Sequence, residues 1–351
     1  KGLNKMENFI YKNFSVSLEI FLVFIAILAI FLPFLIIYTN KFCLKNNLLD
    51  YPSSRKDHKI KMPISGGISL CLISLIIIFL FYIIKKEIIN FYIDIFFYSL
   101  PFFFLGLIDD IKSFNTKLKI LILIILISFS LIHSEVLIIE ELKFEYLFNR
   151  TYLLYNFSII FTVFCIFMFF NALNYSDGKN GISISYSLFI FFYLFFISTE
   201  NKLFIFLIIC ALFIILIFNL NNKLFLGNSG VNFLSIFISF FIIKFYNTTD
   251  RIIFCDEIFI LMFIPGLDAA RVTIFRILKK KSAFSPDKEH FHHKLEKYTR
   301  DKYLWILYLL ISVMPILLLK ISYNFYLTIS ITFFIYCIML SKTFYKIFYS
   351  R

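Results

Sequence analysis

The sequence predicts an all-α, polytopic integral membrane protein with about eleven transmembrane helices. Hydrophobic residues make up 60% of the 351 residues and charged residues only 16%, with a mean hydropathy of +0.87. Soluble domains are typically about 45–50% apolar and about 25% charged. Continuous apolar runs of roughly 20 residues recur along the whole chain, which fits spanning helices rather than the short alternating segments of a β-barrel. The composition also excludes disordered and disulfide-scaffold classes.

Charged residues and turn signals bound each apolar run and so define the predicted spans. The third and fourth runs are short, as in tilted or broken helices, and the first is longer than the apolar part of a signal peptide. We expect one domain over residues 1–351, with a motif-bearing core at 40–300 and two closing helices within 303–341. The predicted spans are 17–39, 66–84, 93–108, 117–133, 154–171, 182–198, 203–220, 230–246, 257–275, 303–319 and 325–341.

The lysines and arginines predict the orientation in the membrane. Most of the 35 fall in alternate loops and in the tail after residue 341. Cytoplasmic loops collect Lys and Arg, so this face is predicted to be cytoplasmic, with the N-terminus outside and the C-terminus inside. Lys1, Lys5 and Lys12 are the exception, because they fall on the outer side. The loops of the cytoplasmic face are 40–65, 109–116, 172–181, 221–229 and 276–302.

The first cytoplasmic loop combines basic residues with a glycine pair. Arg55, Lys56 and His58 precede Gly66 and Gly67, which open an apolar helix. Glycine allows close approach of the backbone, and free N–H groups at a helix N-terminus suit phosphate. An anionic ligand is one interpretation; an ordinary solvated loop on the positive side is the other.

Asp109 and Asp110 form an acidic pair at the end of the third predicted span. Carboxylates are unfavourable at a helix C-terminus, which carries the negative end of the helix dipole, so the pair favours a functional role over a simple helix end. Paired carboxylates without cysteine neighbours suit Mg²⁺, which prefers oxygen ligands and binds through phosphates.

Two amide-bearing segments follow. Asn171, Asn174 and Asp177 are spaced by three residues and are predicted to share one helix face ahead of a glycine turn, although a polar helix cap would have the same pattern. Asn228 lies in a turn between Gly227 and Gly230, before another apolar helix. That turn is a weak signal alone.

The last cytoplasmic loop is the richest in polar residues. Asp268 and Arg276 precede it, and His290, His292 and His293 fall within four positions. Histidine tracts first suggest a transition metal, but the surrounding lysines and arginines repel a cation and no cysteine completes a tetrahedral set. Phosphate or sugar recognition fits better, with a solvated loop as the alternative.

All five polar clusters are predicted to lie on the cytoplasmic face, whereas a transporter would place ionisable groups near mid-membrane. Almost none occur there, apart from Asp94 and His133 near span ends. The pattern favours an enzyme that acts on a lipid headgroup and a soluble anionic co-substrate, with no nucleic acid partner.

The five clusters together resemble the polyprenyl-phosphate N-acetylhexosamine-1-phosphate transferases, in the glycosyltransferase family 4 group. The resemblance runs from Asp50 to His293. The spacing of His290, His292 and His293 is closer to the UDP-N-acetylglucosamine branch than to the peptidoglycan branch. The motif residues that carry it are Asp50, Pro52, Arg55, Lys56, His58, Pro63, Gly66, Gly67, Asp110, Asn171, Asn174, Asp177, Gly178, Ser285, Pro286, Asp287, His290, His292 and His293.

The resemblance implies transfer of an N-acetylhexosamine 1-phosphate from a UDP-sugar to undecaprenyl phosphate, with release of UMP, to initiate a cell-envelope polysaccharide such as O-antigen. It implies a multi-pass protein of the bacterial inner membrane with a cytoplasmic active site, and it leaves a homodimer open. Mg²⁺, or Mn²⁺ in its place, is the implied cofactor. The implied catalytic residues are Asp109, Asp110, Asp177 and His292; the implied metal ligands are Asp110 and Asn228; the implied substrate-binding residues are Lys56, His58, Asn171, Asn174, Asp268, Arg276, His290 and His293.

Within that resemblance each group has an expected place. Asp109 is expected to handle the lipid phosphate, Asn174 and Asp177 to face uridine, and the histidines with Arg276 to hold the sugar and its phosphate. Lys56 and His58 are expected to hold the uridine diphosphate or the lipid phosphate.

Two positions depart from the family pattern. Asn180 and Asn228 stand where relatives carry Asp, and the Asp at position 228 is a metal ligand in those relatives. An amide oxygen can coordinate Mg²⁺ but lacks the charge, so we expect weaker metal affinity. A catalytically silent member that binds lipid phosphate or a partner is the alternative, and a transporter is a third, less favoured one.

Overall fold

The chain is almost entirely helical. The computed structural model describes residues 2–14, 16–50, 62–84, 89–112, 114–147, 149–198, 202–248, 253–282 and 288–349. Two short antiparallel pairs accompany the helices: β1 (Leu49–Asp50) with β2 (Met62–Pro63), and β3 (Glu141–Lys143) with β4 (Thr151–Leu153). The helices are α1 (Gly2–Phe14), α2 (Leu18–Lys45), α3 (Ser65–Ile84), α4 (Ile89–Ile111), α5 (Thr116–Ile132), α6 (Ser158–Ser176), α7 (Ile182–Ile197), α8 (Lys202–Leu220), α9 (Gly227–Asn247), α10 (Cys255–Leu261), α11 (Phe263–Leu278), α12 (Phe291–Leu295), α13 (Asp301–Ser322) and α14 (Phe325–Tyr349).

Each predicted span coincides with one of these helices, except that 257–275 corresponds to the consecutive helices α10 and α11. Within the described residues, seven helices are long and apolar enough to cross a membrane, or eight if α10 and α11 form one bent span. Helix α7 and the 325–341 part of α14 are apolar but shorter. The helical membrane class is therefore confirmed, whereas the count of eleven and the orientation of the termini stay predictions.

The burial of the helices indicates which of them face lipid. Only 28% of the apolar window of α2 is buried, and its Ile30 and Phe34 side chains are 76% and 66% exposed. In contrast, 94% of the window of α9 is buried inside the protein. An apolar surface of this kind is expected of a helix in hydrocarbon, and the buried α9 carries the turn that begins at Gly227.

The chain forms two compact units. Unit 1 draws on residues 1–51, 59–113 and 187–237. In it, α2 packs on α3 and α8, and α1 contacts both α2 and α8. Buried hydroxyls of Thr39 and Ser69 lie 2.7 Å apart and link α2 to α3. A hydrogen bond from the Gly66 N–H to the Phe225 carbonyl, 2.9 Å long, ties the start of α3 to the chain that leads into α9.

Unit 2 draws on residues 52–58, 114–186 and 238–351. Helix α6 packs against α5 and α11, and α13 packs against α10, α11, α12 and α14. A core around Phe291, Tyr308 and Tyr336 fills the space among the last helices. This core fixes the short helix α12, which carries two of the predicted site histidines.

Three local features were not predicted. An additional helix, α1, precedes the first predicted span. A bend of 67° at Met262 separates α10 from α11. The β3–β4 hairpin fills the connection between α5 and α6, where the hydroxyl of Tyr246 accepts the Lys143 N–H at 2.8 Å and donates to the Glu141 carbonyl at 2.7 Å.

Candidate active site

In unit 1, the structure joins Asp110 to the N-terminus of α9. Asp110 Oδ1 accepts the backbone N–H of Asn228 at 2.8 Å and its side-chain Nδ2–H at 3.0 Å, and Asp110 Oδ2 accepts the Ser229 N–H at 2.9 Å. The first N–H groups of a helix lack partners within the helix, so a carboxylate at this end is favourable. Two predicted metal-site residues, 118 positions apart in sequence, therefore lie side by side.

Glycines allow this close approach. Gly227 has a φ of +71°, which L side chains rarely adopt, and a Cβ there would lie 2.7 Å from Asp110 Oδ2. A Cβ on Gly106, one turn earlier than Asp110 on α4, would lie 2.4 Å from the Asn228 carbonyl oxygen. Gly106 and Gly227 are therefore required by the packing of α4 against the start of α9.

The donor set at Asp110 fits Mg²⁺ as a partial coordination sphere. Asp110 uses three of its roughly four acceptor positions for N–H groups, which leaves one for an ion. Since Asn228 donates its Nδ2–H to Asp110, its Oδ1 is the atom that suits a cation. Among the described residues no three His, Cys, Asp or Glu side chains form a metal-binding group. Mg²⁺ commonly binds through one or two carboxylates and completes its shell with water and substrate phosphates.

Asp109 precedes this cluster on α4 and is half-buried. Adjacent residues on a helix point about 100° apart, so Asp109 and Asp110 project in different directions. This difference is compatible with separate roles for the two carboxylates.

In unit 2, the polar segment at the end of α6 has the predicted spacing. The amide of Asn171 donates to the Phe167 carbonyl at 2.7 Å, and the amide of Asn174 donates to the Phe170 carbonyl at 2.9 Å. Each amide is thus oriented by its own helix, so its oxygen points away from that backbone carbonyl. Asp177 forms the C-cap of α6 and accepts a hydrogen bond from the Ser183 hydroxyl.

A second carboxylate, Asp268 on α11, is only 6% exposed and accepts four hydrogen bonds. Its Oδ1 accepts Arg271 Nη2–H at 2.7 Å and the Tyr336 hydroxyl at 3.0 Å. Its Oδ2 accepts the Phe291 N–H at 3.0 Å and lies 3.1 Å from His290 Nδ1. A buried carboxylate is stable only when it is paired in this way.

Arg276 is a deeply buried cation, 2% exposed, next to this carboxylate cluster. Its Nη2 lies 3.2 Å from His290 Nε2, and its guanidinium lies over the Tyr175 ring at 5.3 Å from the ring centroid. A guanidinium only donates, so His290 Nε2 accepts and the ring proton is on Nδ1, where it is donated to Asp268.

His292 is 1% exposed, and its Nε2 has no hydrogen-bond partner among the described residues. Burial holds the pKa of His292 well below its ordinary value, so this imidazole is neutral. A Cβ on Gly178 would lie 2.0 Å from His292 Nε2. His293 Nδ1 lies 2.8 Å from Glu296, which also pairs with Lys179 at 3.2 Å.

The predicted site residues thus fall into two groups, one in each unit. Asp110 meets Asn228 in unit 1, and Asp268, Arg276 and His290 meet in unit 2. The predicted residues Lys56 and His58, and the stretch 285–287, lie outside the described residues. The role of each residue stays a prediction.

Four residues that contact these clusters were not among the predicted site residues. Arg271 follows Asp268 by three positions on a helix, a spacing that could have indicated the pair. Glu296 and Lys179 were not among the predicted site residues. Tyr336 lies in an apolar span and gives no local signal at all.

The fold defines a polytopic helical membrane protein that carries two clusters of polar residues, one in each unit. Residues 92–246 match the family model described as glycosyl transferase family 4. The resemblance predicted from the motifs is therefore confirmed, and this part of the chain is similar to that family.

The relatives all carry the same description, undecaprenyl-phosphate alpha-N-acetylglucosaminyl 1-phosphate transferase. The protein of this description from Thermotoga maritima is 27% identical over 316 residues, which cover 87% of this chain and 94% of the relative. Those from Salmonella typhi and Escherichia coli K12 are 23% and 24% identical, and each match covers 75% of this chain and 73% of the relative.

Proposed function

We propose that this chain transfers an N-acetylhexosamine 1-phosphate from a UDP-sugar to undecaprenyl phosphate and releases UMP. The observation that carries the proposal is the agreement of relatives over most of the chain, each described as such a transferase for N-acetylglucosamine. The buried Arg276 supplies donors suited to a sugar phosphate, and the neutral His292 supplies its Nε2, which has no hydrogen-bond partner in the part of the chain that the structure describes.

In the proposed reaction an oxygen of the lipid phosphate attacks the sugar-bearing phosphorus of the UDP-sugar. A new P–O bond forms, the bond from that phosphorus to the bridging oxygen breaks, and UMP leaves with the bonding electron pair. Little covalent chemistry is needed from the protein, so its contribution is positioning and stabilisation of charge.

The residues divide this work. Asp109 handles the lipid phosphate. Asn174 and Asp177 face the uridine side, and Asn171 belongs to the substrate-binding residues. Arg276, with the three histidines, holds the sugar and its phosphate, and Lys56 and His58 hold the uridine diphosphate or the lipid phosphate. These roles follow from the expected places of the motif residues.

Mg²⁺, or Mn²⁺ in its place, is the proposed cofactor, held by Asp110 and the Asn228 side-chain oxygen. When bound, it offsets the charge of the diphosphate during transfer. Since the protein offers one carboxylate and one amide, we expect the ion to bind together with the nucleotide sugar rather than before it.

We further propose that the protein lies in a bacterial inner membrane with its active site on the cytoplasmic side. The distribution of lysine and arginine among the loops supports this orientation. The reaction would initiate a cell-envelope polysaccharide. A homodimer stays a prediction, which the mass of the protein in detergent would test.

The test uses membranes that contain the full chain, radiolabelled UDP-N-acetylglucosamine, undecaprenyl phosphate and Mg²⁺. We expect labelled lipid and an equal amount of UMP. Asp110→Asn should lower the rate at least tenfold, whereas Asp94→Asn, on the exposed surface of the same helix, should leave it unchanged. No lipid product with any UDP-N-acetylhexosamine would support the silent-member alternative, and a fully active Asp110→Asn variant would remove Asp110 from the site.

A further inference from the structure

The carboxylate of Asp268 is saturated by protein donors. A carboxylate offers about four acceptor positions, and all four are occupied, by Arg271, Tyr336, His290 and the Phe291 N–H. A ligand that bound Asp268 directly would have to displace one of them from a site that is 6% exposed. Asp268 is therefore better suited to hold other residues than to contact a substrate.

Three separate segments of unit 2 meet at this carboxylate. Asp268 and Arg271 come from α11, His290 and Phe291 from the beginning of α12, and Tyr336 from α14, 68 positions further along the chain than Asp268. Arg271 Nη2 also donates to the Glu289 carbonyl. Two contacts therefore hold the residues just before α12: Arg271 binds the Glu289 carbonyl, and Asp268 binds the His290 side chain.

The hydrogen bonds have a defined direction. The Tyr336 hydroxyl accepts from Arg271 Nε–H at 2.8 Å and donates to Asp268 at 3.0 Å. Asp268 then accepts the His290 Nδ1–H, which leaves His290 Nε2 to accept from Arg276 at 3.2 Å. The Asp268 carboxylate only accepts and the Arg276 guanidinium only donates, so His290 fits between them in one tautomer. Arg271 and Tyr336 hold the carboxylate that selects this tautomer.

We propose that Arg271 and Tyr336 are positioning residues of the transferase, which act through Asp268 to hold His290 in one tautomer with its Nε2 towards Arg276. The inference rests on the proposed function, because it concerns how the phosphate-binding cation of that site is placed. Neither residue contacts the substrate in this scheme.

Tyr336→Phe is the sharpest test, because the ring also packs on Phe291 with centroids 4.6 Å apart and that packing survives the change. The matched control is Tyr298→Phe. The Tyr298 hydroxyl donates at 2.9 Å to the carbonyl of Met339 on α14, the helix that carries Tyr336, and it does not reach Asp268. Arg271→Lys is the second variant; it keeps the charge but loses the planar fork that serves several acceptors.

Steady-state rates of UMP release by the purified full-length protein are compared first. We expect kcat/KM to fall by about 10-fold to 100-fold in Tyr336→Phe and Arg271→Lys, and to stay within about twofold of wild type in Tyr298→Phe. In a His290→Gln background, Tyr336→Phe should cause little further loss, because the two changes remove the same function. Full activity in both variants, or an equal loss from Tyr336→Phe with and without His290, would overturn the inference.

The second measurement does not depend on activity. The chain has five histidines, so ¹⁵N-histidine NMR of the protein in detergent can resolve the ring of His290. The wild type should show the Nδ1–H tautomer, and Tyr336→Phe should show a mixture. An unchanged tautomer in Tyr336→Phe refutes the inference even in an inactive protein, whereas an inactive wild type with the expected tautomers refutes only the proposed function.

Discussion

Replacing Asn228 by Asp changes the interaction that holds Asp110. In the wild type the Asn228 amide donates to Asp110 Oδ1 at 3.0 Å. In Asn228→Asp, an oxygen would occupy the position of that donor, and two carboxylates would face each other. The backbone N–H groups of residues 228 and 229 would still bind Asp110, so the helix end itself should persist.

The size of the effect follows from two contributions. A hydrogen bond to a charged group contributes about 1.5–3 kcal/mol, and two unit charges about 4 Å apart repel by about 4 kcal/mol at an effective dielectric constant of about 20. Asp110 is only half-buried, so water screens part of this repulsion. We expect a net loss of about 2–4 kcal/mol without divalent ions. An ion at 100 times its Kd restores about 2.7 kcal/mol.

The assay is thermal unfolding of the purified protein over a range of Mg²⁺ concentrations, with and without UDP-N-acetylglucosamine. Without Mg²⁺, Asn228→Asp should unfold at a lower temperature than the wild type; Mg²⁺ alone should restore it. The wild type should respond to Mg²⁺ mainly when the nucleotide sugar is present. Asn221→Asp, an exposed position with the same change in charge, is the control. If Asn228→Asp and wild type respond identically to Mg²⁺, Asn228 does not face the ion and the reasoning is wrong.

Two further predictions concern His292. Gly178→Ala places a Cβ 2.0 Å from His292 Nε2, so we expect a loss of about 1–3 kcal/mol in unfolding free energy and a large loss of activity. Gly266→Ala is the control, because its Cβ would meet no atom of the described residues within 4 Å. Equal behaviour of the two variants in thermal unfolding would contradict the packing around His292. The pKa of His292 is lowered by burial, so its contribution to stability is present above the unfolded-state pKa and is lost as the pH falls below about 6.5. His292→Gln should therefore be less acid-sensitive than the wild type in thermal unfolding from pH 7 to pH 5. Unchanged acid sensitivity in this variant would show that His292 is not the group responsible.

The helices were predictable because hydrophobic length alone specifies a spanning segment. All eleven predicted ranges correspond to helices, and the boundary of α2 follows from the Ser17 N-cap, which accepts the Ile20 N–H. The bend at Met262 was not predictable, because the apolar run continues through it. Helix α1 was missed since its polar residues and short length give no membrane signal.

The candidate site was predictable where a motif names its residues and not where only the fold brings them together. Asp110 and Asn228 were both identified, yet their hydrogen bond joins positions that no local pattern connects. Tyr336 lies in an apolar span that predicts only lipid or core contacts, and its partner Asp268 is reached through tertiary packing. Local periodicity carries no information about such pairs, because it describes one helix at a time.

The Asn228 amide determines which interaction holds Asp110 at the start of α9. Two facing carboxylates would need a cation to remain close, whereas an amide and a carboxylate attract each other without one. Asp110 already binds the Asn228 amide and two backbone N–H groups, so the α4–α9 contact is complete without an ion. Mg²⁺ would then contribute to substrate binding rather than to folding. The dependence of the rate on Mg²⁺ should therefore shift with the concentration of UDP-sugar, because each ligand supplies part of the other's binding site.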